Sequence, residues 1–471
     1  MKKTSLKLYK IILFFICCLL LNIFSLYVTG ITTLAATTST TSERAVTSNS
    51  TSVSYITPEQ FGAKGDGVTD DTAAFEKCME NAEKNVLLSK TYLIKKYLIA
   101  NTEKHFYAPP KGNDPGATII CEPSGDSKSL AFYSGVIFEN IQFYSTFLRT
   151  GISPHGEKYQ RTSNVVFVEV WNKTGTFNNC SFLNALIAIR GRKSTSSTVI
   201  PENISVNNCS FTECKIPIQG YCENTSVKSS IFTNDGELYR KLDGAKENVF
   251  RYNGDLYSGD HCIYMERYGC VSLSVTDCTV VTKNCNSGAS FQIYGTARKG
   301  DSVPSLAIVG CTISSNGIVS VNEANILIED TLFNEQQDAQ YICRADAGKI
   351  VLLDSELNHS YAFCYADSNA NIYAVNCKFR LMTSISNTRC NFPLESYKCT
   401  YINWGGNIRA NKTIFSDCIF TRDGKHVLNS LYISNSFGYK ISLINTSFKS
   451  GDAITNNTSA VEKVTNCIIF D

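Results

Sequence analysis

The chain has 471 residues, of which 43% are hydrophobic and 18% charged, with 29 Gly and only 10 Pro. This composition excludes a collagen-like, coiled-coil or disordered protein. Lys and Arg number 44 against 42 Asp and Glu, and this near balance argues against a general nucleic-acid binder. The length predicts either several ordinary domains or one repeat array.

The first 36 residues have the pattern of a secretory signal peptide. Lysines at the start precede the uninterrupted apolar run Ile11 to Leu21, and Ala35 and Ala36 offer small residues for cleavage. We therefore expect a secreted or cell-surface protein with no stable membrane insertion after cleavage. An uncleaved anchor is the alternative, because the apolar character continues to Val28.

Residues 37–54 are mostly Thr and Ser, which predicts a flexible tether. Beyond it a short motif, called the token here, recurs eleven times. In most copies it begins with Asn or Asp, followed by a small residue at a position called the slot, one variable position, and a large apolar residue. The slot and apolar residues are Cys180/Phe182, Cys209/Phe211, Ser230/Phe232, Cys278/Val280, Cys311/Ile313, Thr331/Phe333, Ser355/Leu357, Cys377/Phe379, Cys418/Phe420, Thr446/Phe448 and Cys467/Ile469.

Successive tokens are often 20 to 24 residues apart, and the gaps of 41 and 48 fit two units each. A unit this short cannot bury a face alone, so the units must stack. Two-residue alternation, as in Ile372-Tyr373-Ala374-Val375, predicts strands. Coils of this length built from strands predict an all-β parallel β-helix. Its slot residues face inward, and Asn or Asp tolerates the left-handed backbone of each corner.

The segment Phe61 to Phe75, with Gly65-Asp66-Gly67 at its centre, resembles the opening motif of the pectate lyase superfamily. That superfamily includes polygalacturonase-type hydrolases, rhamnogalacturonase-like and epimerase-like proteins, and phage tailspikes. The strand pair Val86 to Ile94 is similar to the segment that follows this motif. The resemblance implies a single-stranded right-handed parallel β-helix over residues 55–471, with the N-terminal cap and first coils in 55–134.

The acids of this motif have a structural interpretation. Asp66 belongs to a tight turn, and Asp70 or Asp71 can cap the following helix. That helix is predicted to cover the open first coil with an apolar stripe made by Ala74, Phe75, Cys78, Met79 and Ala82.

The cysteines number 20, of which only Cys17 and Cys18 lie in the predicted leader. An even number in a secreted chain suggests disulfides. Ser and Thr fill the same slot, however, so we expect mostly free buried thiols. Cys343 and Cys364 are 21 residues apart and suggest a second ladder. Bridges between neighbouring coils remain the alternative, because strand spacing allows them.

The segment Ser258 to Ile263 resembles the Gly-Asp-Asp-Cys-Ile motif of polygalacturonase-type glycosidases. Asp260 matches the general acid of that motif, while His261 replaces its second acid. Asp255 is a candidate second acid, and Arg267 a candidate cation of the same groove. The other family motifs, Gly-His-Gly and Arg-x-Lys, have no convincing counterpart.

His261 also suits another chemistry, namely proton abstraction from a uronate in a lyase or epimerase. An Arg or a divalent cation would then neutralise the carboxylate. A hydrolase needs no cofactor, and the sequence identifies no metal ligands. Asp260 as a corner acid and His261 as an outward polar residue form the purely structural alternative.

Stretches that interrupt the repeat carry candidate substrate-binding cations, namely Arg190, Arg192, Lys193 and Arg298. Guanidinium groups pair with carboxylates, and aromatic rings stack on sugar faces. The sequence therefore predicts a protein that cleaves glycosidic bonds of an acidic, uronate-containing polysaccharide such as pectin. A non-catalytic cell-surface or sugar-binding solenoid is the alternative function.

Overall fold

The computed structural model describes residues 54–112, 114–122, 128–145, 166–193, 198–235, 251–252, 255–256, 261–283, 289–295, 301–335, 342–359, 370–381, 395–403, 406–408, 412–421, 431–433, 440–449 and 461–470. The predicted signal peptide and nearly all of the predicted tether lie outside these residues. Within them, no helix is both long enough and apolar enough to cross a membrane.

Apart from a 3-10 turn at Pro58–Phe61 and the helix α1 at Thr72–Glu80, the described elements are strands. They are β1 (Asp66–Asp70), β2 (Asn85–Leu87), β3 (Thr91–Ile94), β4 (Leu98–Ala100), β5 (Lys104–Tyr107), β6 (Ala117–Cys121), β7 (Lys128–Phe132), β8 (Val136–Glu139), β9 (Ile141–Tyr144), β10 (Val166–Val170), β11 (Thr174–Asn178), β12 (Ser181–Leu183), β13 (Ile187–Gly191), β14 (Asn203–Asn207), β15 (Ser210–Thr212), β16 (Ile216–Gly220), β17 (Asn224–Lys228), β18 (Ile231–Asp235), β19 (Arg251–Tyr252), β20 (Asp255–Leu256), β21 (Ile263–Glu266), β22 (Ser272–Thr276), β23 (Thr279–Lys283), β24 (Phe291–Tyr294), β25 (Ser305–Val309), β26 (Thr312–Ser315), β27 (Val319–Glu329), β28 (Leu332–Glu335), β29 (Cys343–Leu353), β30 (Glu356–His359), β31 (Asn371–Val375), β32 (Lys378–Leu381), β33 (Glu395–Tyr397), β34 (Thr400–Ile402), β35 (Gly406–Ile408), β36 (Lys412–Ser416), β37 (Ile419–Thr421), β38 (Leu431–Ile433), β39 (Lys440–Ile444), β40 (Ser447–Lys449), β41 (Val461–Thr465) and β42 (Ile468–Phe470).

All but four of these strands stack in parallel on three faces; β19 and β20 form an antiparallel pair, and β35 and β38 a separate parallel pair. Face A has sixteen strands, from β1 and β3 through β12, β15 and β18 to β42. Face B runs β4, β7, β10, β13, β16, β21, β24 and the start of β27. Face C begins with β2, β5, β8, β11, β14, β17, β22 and β25. The long strands β27 and β29 each run through both faces B and C without a break, so the turn that separates the two faces in the earlier coils is absent from these two. The predicted all-β parallel β-helix is confirmed.

The large apolar residue of each token stacks on its counterpart in the next coil. On face A the rings of Phe143, Phe182, Phe211 and Phe232 follow one another at 5.0, 4.8 and 4.9 Å between centroids. These distances match the ~4.8 Å spacing of neighbouring strands. The main core therefore contains a continuous aromatic column.

The slot residue before each ring is a hydrogen-bonding link between coils. Ser230 donates its hydroxyl to the carbonyl of Lys228 at 2.9 Å, and that hydroxyl accepts the amide of Cys209 at 3.1 Å. The Cys209 thiol donates to the carbonyl of Asn207 and accepts the amide of Cys180, both at 3.4 Å. A side chain that both donates and accepts is needed, which explains why Cys, Ser and Thr interchange there.

The corner before each slot has the predicted left-handed backbone. Asn179 and Asn208 have φ of 53° and 52°, and the Asn208 amide donates to the Asn179 side-chain oxygen at 2.7 Å. Asn376 makes the same bond to Asp354, at 2.6 Å. Side-chain amides therefore bridge neighbouring corners.

Two repeat assignments need correction. The 48-residue gap is one coil with an insertion, because β18 pairs directly with β23. The 41-residue gap does contain two units, since Cys399 fills an unrecognised slot and Tyr401 pairs with both Phe379 and Phe420. Its corner residue is Lys398, with φ of 53°, so the usual Asn or Asp is absent.

Helix α1 packs four of the predicted residues into the core: Ala74, Phe75, Cys78 and Met79. The Phe75 ring lies 5.1 Å from that of Tyr92. Ala82 is exposed and follows the helix end, so its place in the stripe was wrong.

The acids of the opening motif hold the backbone. The Asp71 carboxylate accepts the amides of Lys64 and Gly65 at 2.8 and 3.2 Å, and that of Asp70 accepts the Thr72 amide at 3.0 Å. Asp66 accepts backbone amides two and three residues ahead of it, at 2.9 and 2.7 Å. These acids hold the backbone as expected, but Asp71, the N-cap residue of α1, makes no side-chain capping bond, because its carboxylate is bonded to Lys64 and Gly65 instead.

Every described cysteine is a free thiol, and all except the half-buried Cys467 are buried. Burial raises the pKa of the Cys214 and Cys343 thiols to about 12. The preference for free thiols is therefore confirmed among these residues. Cys364, the second member of the predicted second ladder, lies outside the described residues.

Candidate active site on face B

The outer surface of face B differs from that of face C because it is buried at β10 and β13. All five residues of β10 and all five of β13 are buried, whereas β14 on face C alternates. Val166, Ile187 and Ile216 form a cluster separate from the main core, and Tyr264 packs against it. Since the neighbours of Tyr264 on β21 point into the main core, this cluster lies on the outer surface.

A second outward column runs beside this cluster. Its members pair in register from strand to strand, and in order they are Glu169, Arg190, Gln219, Tyr264 and Gln292. Neighbouring members are separated by the ~4.8 Å strand spacing. The column therefore changes from charged to aromatic along the helix axis.

Glu169 is fully buried at the charged end of this column. Its Oε1 lies 3.7 Å from Nη1 of Arg190 and 3.5 Å from Nε of Arg192, and the Tyr97 hydroxyl donates to Oε2 at 3.5 Å. Arg190 also donates to the Gln219 side-chain oxygen at 3.0 Å. Burial lowers the pKa of Arg190, and Glu169 opposes that shift. Two guanidinium groups share one carboxylate, so this group has a net positive charge.

Aromatic rings surround these cations. The Trp171 ring stacks on Tyr133 at 4.8 Å, and the Arg192 guanidinium lies 5.3 Å from the Trp171 centroid. Lys193 places its ammonium 3.9 Å from the Tyr268 centroid. Cation–π contacts of this kind hold positive charge beside flat apolar surface.

Two glycines allow the chain to reach this arrangement. Gly191 ends β13 and Gly220, with φ of 114°, ends β16. A Cβ on Gly191 would lie 1.9 Å from the carbonyl oxygen of Tyr221, and one on Gly220 would lie 2.1 Å from that of Gly191. The backbones therefore approach closely just before Arg192 and Tyr221, and only glycine fits there.

His261 is held in one orientation immediately before β21. Its Nδ1 lies 2.6 Å from the carbonyl oxygen of Ala289. A carbonyl can only accept, so Nδ1 carries the proton and, in the neutral ring, Nε2 carries the lone pair. The ring lies 5.7 Å from that of Tyr264. This geometry prepares Nε2 to accept a proton.

The next coil extends the aromatic part of the surface. The Tyr264 and Tyr294 rings stack at 5.9 Å, and Tyr294 is 55% exposed. Glu266 is half-buried on the same strand as Tyr264 and pairs in register with Tyr294. The exposed ring of Tyr294 offers a flat apolar surface to a ligand.

Arg267 is buried beneath the same region and is hydrogen-bonded to two neighbouring segments. It is 2% exposed, and its Nη2 donates to the carbonyl of Ser302 at 2.6 Å. Its backbone amide donates to the carbonyl of Tyr294 at 2.7 Å. In this structure Arg267 links the segment before β25 to the β24 coil.

Among the residues predicted from the sequence, Arg190, Arg192 and Lys193 lie together at the end of β13. His261 and Arg267 flank β21, which is two coils further along face B because β16 lies between the two strands. Asp260 and Arg298 fall outside the described residues. The backbone of Asp255 belongs to β20, which pairs with β19 in an antiparallel ribbon, but its side chain is likewise not described.

Sequence reasoning missed Glu169 and Glu266. Glu169 is the single charge in Val-Phe-Val-Glu-Val, and an acid inside an apolar strand was the available signal. Glu266 follows Tyr-Met in a strand that alternates normally, so its sequence carries no such signal. Among the described residues, no group of three or more His, Cys, Asp or Glu side chains is arranged to hold a metal ion.

No family model matches the chain. Over 48 residues, which are 10% of the chain and 6% of the relative, it is 50% identical to a capsule K30/K69-specific depolymerase of Klebsiella phage K5-2. Among solved structures, the GH87 α-1,3-glucanase catalytic unit of Streptomyces thermodiastaticus is 12% identical, with a TM-score of 0.44 over 86% of this chain and 70% of that one.

A second solved structure is tailspike protein 3 of bacteriophage CBA120, which is 11% identical, with a TM-score of 0.42 over 88% of this chain. The chain spans 61% of that tailspike. Structural likeness at this level does not transfer a substrate from one protein to another. The described strands form the parallel β-helix that the resemblance of the opening motif implied.

Proposed function

We propose that this is a secreted or cell-surface carbohydrate-active protein that cleaves glycosidic bonds of an acidic, uronate-containing polysaccharide such as pectin. The observation that carries the proposal is His261, held with Nε2 as its basic atom beside Tyr264 on face B. A base in a fixed position can take a proton from a sugar or from an attacking water, and the tyrosine beside it offers a flat surface to a sugar ring.

An anionic polymer suits the charge of this surface. Arg190 and Arg192 share the one carboxylate of Glu169, and Lys193 adds a third cation beside Tyr268. Guanidinium groups bind carboxylates in a planar, directional way. A uronate chain lying along face B would meet these cations on one side and the exposed ring of Tyr294 on the other.

The proposed reaction needs a proton donor as well as a base. Asp260 immediately precedes His261, and Asp255 lies five residues earlier, so both remain proposed acids of the site. Arg267 is proposed to position the coil through its bond to Ser302. Hydrolysis needs no cofactor, whereas elimination would use an Arg or a divalent cation to neutralise the uronate.

The short match to a capsule depolymerase supports a surface polysaccharide as the class of substrate. The matched segment is too small a part of that phage protein to indicate which sugar is bound. Both the cleavage reaction and the uronate therefore rest on the site itself.

The test is turnover by purified protein on a panel of uronate polymers. Hydrolysis releases reducing ends, and elimination releases unsaturated products that absorb ultraviolet light. We expect activity on at least one polymer and its loss in His261→Ala and Asp260→Asn. A panel without products, together with unchanged behaviour of both variants, would contradict the proposal.

A non-catalytic sugar-binding protein is the second candidate. The observation that favours it is that Trp171, Arg192, Lys193 and Tyr268 form an aromatic and cationic group without any of the proposed catalytic residues. Oligouronate binding that is lost in Arg192→Ala, with no products from any polymer, would establish this function instead.

A further inference from the structure

Glu266 occupies a position on face B that the proposed chemistry leaves unused. It shares the outward side of β21 with Tyr264, because Ile263 and Met265 between them point into the core. Outward residues two apart on a strand are separated by roughly 6 to 7 Å. His261 lies on the other side of Tyr264, with its ring 5.7 Å from the tyrosine ring. The histidine and the carboxyl group therefore flank one aromatic surface.

Glu266 differs from Glu169, the other acid on the outer side of face B described above, in its surroundings. Within the described part of the chain its carboxyl group takes part in no hydrogen bond and no ion pair, although it is half-buried. Glu169, by contrast, faces two guanidinium groups. Burial raises the pKa of Glu266 and thereby favours its neutral, proton-carrying form.

Such an acid lowers the stability of the folded protein, because a half-buried carboxyl group loses part of its hydration and forms no hydrogen bond that would compensate for it. Perturbed acids of this kind concentrate at reactive sites. Glu266 is therefore a candidate for a role in the chemistry of this surface.

We propose that Glu266, in place of Asp260 or Asp255, is the proton donor to the glycosidic oxygen of the bond that is cleaved, with Nε2 of His261 as the base on the opposite side of Tyr264. This inference rests on the proposed function and deepens it. It applies to hydrolysis and to elimination, both of which break the bond to a leaving oxygen. Epimerisation breaks no glycosidic bond and would not use it.

The proton balance of the two reactions is simple. In hydrolysis, the Glu266 carboxyl protonates the leaving oxygen as its bond to the anomeric carbon breaks. Water attacks that carbon and gives its proton to His261. In elimination, His261 removes the proton beside the uronate carboxylate, a double bond forms in the ring, and Glu266 protonates the oxygen that leaves. Proton return from His261 to Glu266 through solvent restores the enzyme.

The experiment compares Glu266→Gln with the control Glu395→Gln, which alters an exposed acid on β33 of face C. On a uronate polymer that the wild-type protein cleaves, we expect Glu266→Gln to lower kcat by about 100-fold or more. KM should change little, and Glu395→Gln should match the wild type. On a substrate analogue with an activated leaving group, Glu266→Gln should recover most of its rate, since no proton is then needed.

A second measurement does not depend on turnover. In the full-length protein with 13C-labelled glutamate carboxyls, the signal missing from Glu266→Gln reports the titration of this group. We expect the pKa of this group to lie above that of an ordinary glutamate. The described groups around it are Tyr264 on its own strand, Tyr294, which pairs in register with Glu266, and Tyr221, which follows β16 on the preceding coil. The adjacent Arg267 directs its guanidinium to the carbonyl of Ser302.

Each outcome decides a different point. If the wild type cleaves a polymer and Glu266→Gln keeps more than a third of its rate, Glu266 is not the donor and the proposed function stands. If no polymer is cleaved, the proposed function fails, and a high titration point then means only that Glu266 is buried. If Glu266 titrates as an ordinary glutamate, the donor assignment is overturned whatever the activity.

Discussion

The slot positions require a small side chain that both donates and accepts a hydrogen bond, and Cys, Ser and Thr all meet this requirement. Ser230 donates to the carbonyl of Lys228 in its own coil and accepts the amide of Cys209 in the preceding one, and Cys209, Cys278 and Ser355 make the same pair of bonds. Apolar residues of the same size would leave a buried amide unpaired, at a cost of about 1 to 3 kcal/mol. The exchange of Cys, Ser and Thr along the chain follows from this requirement.

Substitutions at Cys209 test the slot directly. Cys209→Thr should change the free energy of unfolding by less than about 1.5 kcal/mol, because Thr still donates and accepts in a similar volume. Cys209→Lys should cost about 3 to 5 kcal/mol by burying an uncompensated charge. Ser210→Lys, on the outward side, is the control. Equal loss of stability in Ser210→Lys and Cys209→Lys, measured by chemical denaturation, would show that the inward register is wrong.

Asp66 gives a pH-dependent prediction at the same scale. Bonds from the amides of Thr69 and Val68 lower its pKa from 3.8 to about 2. A depressed folded-state pKa adds stability above the unfolded value, and that contribution is lost as pH falls from about 4 through 2. In Asp66→Asn, the decline of Tm over this range should therefore be shallower than in the wild type. Asp114→Asn, at an exposed acid, should follow the wild-type curve, and identical slopes in all three proteins would refute the prediction.

At the scale of the strand, the position of the cations depends on how β13 and β16 end. Arg192 and Tyr221 follow glycines whose backbones approach each other too closely for any Cβ. The direction of the side chains after these glycines is therefore set by the backbone.

Gly220→Ala should disturb this arrangement. The residue has φ of 114°, and the added Cβ would meet the Gly191 carbonyl oxygen at 2.1 Å. We expect a loss of more than about 2 kcal/mol, since backbone strain alone costs about 1 to 2 and the clash adds to it. Gly62→Ala is the control, because Gly62 also has positive φ, 97°, but no atom within 4 Å of the added Cβ. Similar stability of the two variants would mean that the close approach is unimportant.

The repeat was readable from the sequence where a coil kept a small slot residue and a large aliphatic residue or Phe two places after it, in most copies behind a corner Asn or Asp. The coil at Cys399 was missed because Lys398 occupies its corner and Tyr401 replaces the Phe. Strand pairing, which sequence spacing does not report, was needed to show that β18 is followed on face A by β23.

The site was less predictable than the fold. Arg190, Arg192 and Lys193 were found because they interrupt the repeat. Glu266 was not, since its importance depends on what surrounds the outer side of β21. Alternation predicts which side of a strand points outward, but not whether that side meets water or other parts of the protein.

At the scale of the whole molecule, stacked coils contact only their neighbours, so a disturbance should remain local. Phe75 on α1 lies against Tyr92 and Phe106 in the first coils, at 5.1 and 6.3 Å. Phe75→Ala should cost about 3 to 5 kcal/mol by opening a cavity. Hydrogen exchange should then quicken in the first coils, near Tyr92, and stay unchanged near Phe420. Phe420→Ala should give the reverse pattern, and uniform quickening in either variant would contradict local propagation.

The reactivity of the buried thiols reports where the stacked coils separate from one another. A thiolate is the form that reacts with oxidants and alkylating reagents, and burial keeps thiols such as Cys121, Cys214 and Cys343 protonated by raising their pKa to about 12. A coil becomes chemically visible only when it separates from its neighbours. Since these thiols are spread along the helix axis, the set of cysteines that a reagent modifies would show which coils have separated, and the order of modification would show in which sequence they did so.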